Sequence, residues 1–117
     1  MRPIGGSMPH EREERIARTE ALFREVNEQI AENVERFEGD TGSFVCECAD
    51  PKCTRSVAVP LEAYEEVREE PTRFVLAHGH ADPSIEQVIA DGGRYAVVEK
   101  TAPRAREIVR RLDPRTA

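Results

Sequence analysis

The chain has 117 residues, a net charge of −6 and 34% charged residues, with three cysteines and no tryptophan. This length predicts one domain with a modest core, and no uncharged apolar run reaches the about 18 residues that a membrane span requires. An odd number of cysteines without a secretory signal argues against a disulfide framework. We therefore expect a cytoplasmic protein in which close thiols serve metal or redox chemistry.

The charges are distributed unevenly along the chain. Residues 11–38 carry nine acids against five arginines, whereas residues 101–117 carry five arginines against two acids. Binding to phosphates requires a clustered cationic face on the folded domain, and this basic segment is short. Its arginines fit the solvated side of a helix, so we predict neither a nucleic-acid partner nor a membrane partner.

The N-terminal third predicts a disordered leader followed by one long helix. Residues 1–9 show no periodic pattern, whereas residues 10–38 contain neither Gly nor Pro and predict an amphipathic helix. Its apolar stripe is formed by residues three, four or seven positions apart: Ile16, Phe23, Val26, Ile30, Val34 and Phe37. Such a helix is about 40 Å long, more than so small a domain can cover. We expect its N-terminal half to project, and the stripe to bind a second copy or another protein. The residues predicted for this contact are Ile16, Phe23, Val26 and Ile30.

Residues 39–117 predict a zinc-stabilised α+β domain. Together with the long helix, they are expected to form a single domain. Alternating β-type residues at 43–48 and 55–59 flank a turn at Asp50-Pro51-Lys52 and indicate a hairpin. The pattern beyond it predicts a helix over 60–70, a strand over 73–77, a short helix over 82–90, a strand over 94–100 and a helix over 102–112. The expected fold is a small mixed sheet of about four strands with short helices, the long N-terminal helix and a zinc-stapled hairpin.

Three cysteines and a histidine are spaced as ligands for one metal ion. Zinc prefers four soft or borderline ligands in a tetrahedron, and Cys46, Cys48 and Cys53 with one imidazole form a Cys3His set. His78 and His80 both follow the third predicted strand, and either can supply the imidazole. We favour His80, because it precedes a predicted helix start in a loop whose backbone can adjust to a metal. The sequence thus predicts zinc as the cofactor, with His78 as the alternative fourth ligand.

Two other interpretations of the cysteines stay open at this point. They can be small buried hydrophobes, or they can serve redox or iron–sulfur chemistry. The CDGSH-type iron–sulfur pattern also begins with Cys-x-Cys, but its third cysteine lies further on and its histidine follows closely, which does not match Cys53-Thr54-Arg55. Glu47 and Asp50 flank the ligands, and we expect both to be solvated rather than catalytic in so acidic a chain.

The segment Phe44-Val45-Cys46-Glu47-Cys48, with Cys53 and Gly79-His80, resembles a group of small uncharacterised proteins from high-GC bacteria. The similarity extends over most of the chain. It implies a shared Cys3His set and favours His80 over His78, but it implies no substrate or pathway.

These observations favour a non-enzymatic interaction or regulatory protein in which zinc holds the fold. A closed set of four protein ligands leaves no coordination position for a reactive water, and no general base is evident. The alternative is a thiol-based redox or zinc sensor, in which cysteine oxidation releases the metal. A zinc hydrolase would require an open coordination position.

Overall fold

The structure of the protein, a computed structural model, describes residues 9–115, with side chains from residue 11 onward. The predicted leader, residues 1–9, lies outside the described residues except for Pro9, where the first helix begins. The described elements are α1 (Pro9–Arg36), β1 (Thr41–Val45), β2 (Ser56–Pro60), α2 (Leu61–Val67), β3 (Arg73–Leu76), β4 (Glu86–Asp91), β5 (Ala96–Lys100) and α3 (Pro103–Arg111). The fold is α+β, as predicted.

The strands form two antiparallel sheets rather than the predicted single mixed sheet of about four strands. β1 and β2 are a hairpin with Thr41 opposite Pro60 and Val45 opposite Ser56. The second sheet has the order β3-β5-β4, and all its pairs are antiparallel. The hairpin was predicted correctly, because its alternation and its turn are local signals.

The short helix predicted over residues 82–90 is wrong, and the strand β4 lies in its place. Asp82 was expected to cap a helix, and its side chain does accept the N–H of Ser84 at 3.0 Å. The turn stops after Ile85, because Glu86 then pairs with Lys100 on β5. β-Branched Val88 and Ile89 suit this extended pairing.

The long helix packs on the domain through a more polar face than its apolar stripe predicted. Side chains that are at most 8% exposed on this face are Ile16, Ala17, Glu20, Ala21, Arg24, Asn27 and Ala31. Ile16 belongs to the core, which corrects the expectation that it meets a partner. The N-terminal half does not project either: Arg12 bonds to Asp82 at 2.9 Å, and Glu14 pairs with Arg104 of α3 at 3.4 Å.

The remaining stripe residues divide between the core boundary and solvent. Ile30 is partly buried against the core, Phe23 is half-buried, and Val26 is 46% exposed. Within residues 9–115, no helix combines the length and apolar character needed to cross a membrane.

Candidate metal centre

The hairpin loop brings the three cysteines together. The last ladder bond joins the Cys46 N–H to the Arg55 carbonyl at 3.0 Å, so both ends of the loop are fixed. Within it, Asp50 accepts the N–H of Lys52 on its side chain at 2.9 Å and that of Cys53 on its carbonyl at 3.1 Å. This turn reverses the chain and returns Cys53 toward Cys46 and Cys48, as the Asp-Pro-Lys sequence predicted.

The turn after β3 brings His80 to the same place. The N–H of His80 bonds to the carbonyl of Ala77 at 3.1 Å, and Gly79 has φ +81°. This left-handed conformation is strained for residues with a side chain. The bend at Gly79 separates the two histidines, which would share one side of a straight strand.

The four side chains lie close enough together to hold one metal ion. Their ligand atoms all lie within 4.8 Å of one another. The Nδ1 of His80 lies 3.6 Å from the Sγ of Cys46 and 3.7 Å from the Sγ of Cys53. Bonds of about 2.3 Å from zinc to sulfur and about 2.05 Å to nitrogen place these atoms about 3.6 Å apart in a tetrahedron. The residues therefore fit a metal ion of the size and preference of zinc.

His78 is not part of this cluster. Its side chain is 66% exposed, and its Nδ1 lies 2.6 Å from Asp91 Oδ2. A backbone bond from Gly93 and the contact with His78 lower the pKa of the Asp91 carboxyl. Of the two histidines left open by the sequence, the structure brings only His80 to the cysteines.

The cluster lies at the edge of the core, with one side toward solvent. Cys46 and Cys48 are buried, whereas Cys53 and His80 are half-buried. Burial raises the pKa of the Cys46 and Cys48 thiols, and the N–H of Ala77 donates to the Cys46 sulfur at 3.1 Å. A bound cation favours the thiolate form, so metal binding offsets the cost of burying these sulfurs.

Glu47, which lies between Cys46 and Cys48 in the chain, has a different environment from the one predicted. It was expected to be solvated, but its side chain is fully buried. Its Oε1 accepts the N–H of Val75 at 2.9 Å and its Oε2 accepts from Asn27 at 2.9 Å. Burial raises the pKa of this carboxyl, while Arg24 and the hydrogen bonds oppose the rise. Alternation places Glu47 opposite the cysteines, but no signal in the sequence shows that β3 and α1 cover that side.

No protein-family model, curated protein or solved structure matches this chain.

Proposed function

We propose that the chain is a small non-enzymatic zinc protein, in which a Cys3His centre holds the fold and the first helix contacts another protein. The observation that carries the proposal is the convergence of Cys46, Cys48, Cys53 and His80 within 4.8 Å. Three thiolates and an imidazole are a preferred donor set for zinc.

The donor set supports a structural rather than a catalytic role. Four protein ligands fill a tetrahedral zinc ion and leave no position at which water can be activated. The ligands also come from two separate parts of the fold, the hairpin loop and the turn after β3. A metal ion joining them adds its binding free energy to folding, which matters in a domain with few aromatic residues.

The outer face of α1 supports the interaction part of the proposal. Leu22 is 60% exposed and Val26 46% exposed, one turn apart on the same side of the helix. Phe37, just beyond the helix end, is 79% exposed. Neighbouring exposed apolar side chains such as Leu22 and Val26 favour contact with a second copy or another protein.

A redox or zinc sensor is the second candidate, and the exposure of Cys53 favours it. A half-buried thiolate at the rim is open to oxidants, whereas buried Cys46 and Cys48 are protected. Oxidation of one ligand would weaken metal binding and release the turn that carries His80.

Metal analysis of protein purified without added metal tests the proposal. We expect about one zinc per chain and no visible absorbance from an iron–sulfur cluster. Removing the zinc with a chelator should lower the melting temperature. Metal-free protein with an unchanged melting temperature would contradict the structural role.

A further inference from the structure

Asn27 connects the long helix to the segment that carries the first two cysteines. Its side chain is fully buried on α1. It pairs with the backbone of Val45 in both directions, donating to the carbonyl at 2.9 Å and accepting the N–H at 2.8 Å. The same amide nitrogen donates to Glu47 Oε2 at 2.9 Å. Asn27 thus satisfies the N–H and the carbonyl of Val45, the last residue of β1, as the backbone of a neighbouring strand would.

Glu47 extends this connection to the second sheet. Its N–H donates to the carbonyl of Val75 on β3 at 2.9 Å, and its Oε1 accepts the N–H of the same residue at 2.9 Å. One residue therefore satisfies both backbone groups of Val75 at the edge of β3. A buried carboxylate can do this only while its backbone is held in place, and that backbone lies between Cys46 and Cys48.

We propose that metal occupancy and the docking of the C-terminal half of α1 are coupled through the Asn27–Glu47 contact. The inference rests on metal binding at the Cys3His centre, as proposed above. A metal ion fixes the residues on both sides of Glu47 and so holds its carboxylate against Asn27. Because coupling between two sites is reciprocal, losing the Asn27 contact weakens metal binding by the same factor.

The position of Asn27 along the helix limits the effect to one end of α1. The buried polar side chains Glu20 and Arg24 precede it on α1, whereas only Ala31 is fully buried after it, with Ile30 partly buried against the core. Glu28 keeps ion pairs with Arg68 and Arg115, which do not involve the metal loop. Because these pairs keep the helix attached, we expect loosened docking of residues 24–36 rather than their release, with the rest of the fold retained.

Hydrogen exchange of the zinc-loaded and chelator-treated full chain tests the coupling. We expect the amides of residues 24–36 to exchange about tenfold faster without metal, with a much smaller change in β5. Uniform acceleration across the chain would mean global unfolding and would overturn the local coupling. Unchanged exchange in residues 24–36 would overturn it as well.

Zinc affinity, measured by competition with a chelator, tests the reciprocal effect. Asn27→Asp places an acceptor against Glu47 and the Val45 carbonyl and should weaken zinc binding about tenfold. Two control variants separate the loss of the contact from the added charge and from a weakened helix. Asn33→Asp adds the same charge at an exposed site of α1. Ala21→Gly lowers the stability of the helix at a position away from Glu47. If either control lowers the affinity as much as Asn27→Asp, the coupling is wrong.

A double variant tests the contact itself. In Asn27→Asp with Glu47→Gln, the new amide can donate to the new carboxylate, so we expect part of the lost affinity to return. No recovery would contradict the proposed contact. If Asn27→Asp does not fold, the exchange comparison on the wild-type chain decides alone. Failure of the wild type to bind zinc at all would instead overturn the proposed function.

Discussion

The carboxyl group of Glu20 on α1 contacts the ammonium of Lys100 on β5, and neither side chain is exposed to solvent. The ammonium also contacts the buried carboxylate of Glu86 and lies 4.9 Å from the ring centroid of Phe74. One ammonium group thus contacts two buried carboxyl groups. Glu20 Oε2 has no hydrogen-bond partner among the described residues. Burial raises the pKa of Glu20 from 4.5 to about 8, with repulsion from Glu86 adding to the rise and Lys100 opposing it.

This shift predicts a stability that falls as the pH rises. Between about pH 4.5 and pH 8, the folded chain keeps a proton on Glu20 that the unfolded chain has released. The stabilisation that this bound proton gives the fold is fully present below about pH 4.5 and is lost as the pH rises toward about 8. Glu20→Gln keeps an acceptor for Lys100 but does not titrate. We expect it to gain about 3 kcal/mol relative to the wild type between about pH 5 and pH 8, measured by urea unfolding.

Glu25→Gln is the matched control, because Glu25 is exposed on the same helix. Its stability relative to the wild type should stay constant over this pH range. Comparing variants at each pH, with zinc held constant, removes the separate pH dependence of metal binding. A Glu20→Gln curve parallel to the wild type would contradict the shift.

The two histidines predict opposite outcomes on substitution. His80→Ala removes one of four ligands and should lose most of the bound zinc and the stability that depends on it. His78→Ala removes an exposed pair with Asp91 and should keep about one zinc per chain, with a stability change of about 0.5 kcal/mol or less. Zinc content and thermal melting of both variants measure this. Zinc loss in His78→Ala with retention in His80→Ala would show the assignment to be wrong.

Mild peroxide separates the structural role from the sensor. A saturated structural site should retain its zinc, because coordination lowers the reactivity of the thiolates and two of the three are buried. Zinc release is followed with a colorimetric chelator, and oxidised residues are located by mass spectrometry. Release at low oxidant dose, with Cys53 modified first, would favour the sensor instead.

The outer face of α1 predicts an association that does not depend on the core. Leu22→Glu with Val26→Glu changes two exposed side chains and should abolish self-association or partner binding while leaving the zinc content unchanged. Light scattering of the purified chain, with a pull-down if it is monomeric, measures the effect. Ile16→Glu is the contrasting variant, because it buries a charge in the core and should unfold the chain. A double variant that associates like the wild type would exclude this face.

The amino-acid sequence by itself determined the elements whose signals are local. The absence of Gly and Pro from residues 10–38 predicted α1, and the Asp50-Pro51-Lys52 turn predicted the hairpin. The ligand candidates were also visible, because cysteines only two and five residues apart meet in one loop without help from distant parts of the chain. The sequence predicted a helix in place of β4, because Asp82-Pro83 can begin either a helix or a single turn.

The tertiary structure alone decided what covers each surface. Glu47 and Asn27 look like ordinary surface residues in the sequence, but both are fully buried, because each finds hydrogen-bond partners on an element far away in the chain. The buried face of α1 includes Glu20 and Arg24 for the same reason, while the apolar Leu22 is left in solvent. Periodicity identifies a helix from the residues along it, but which face is buried depends on the partners that the rest of the fold supplies.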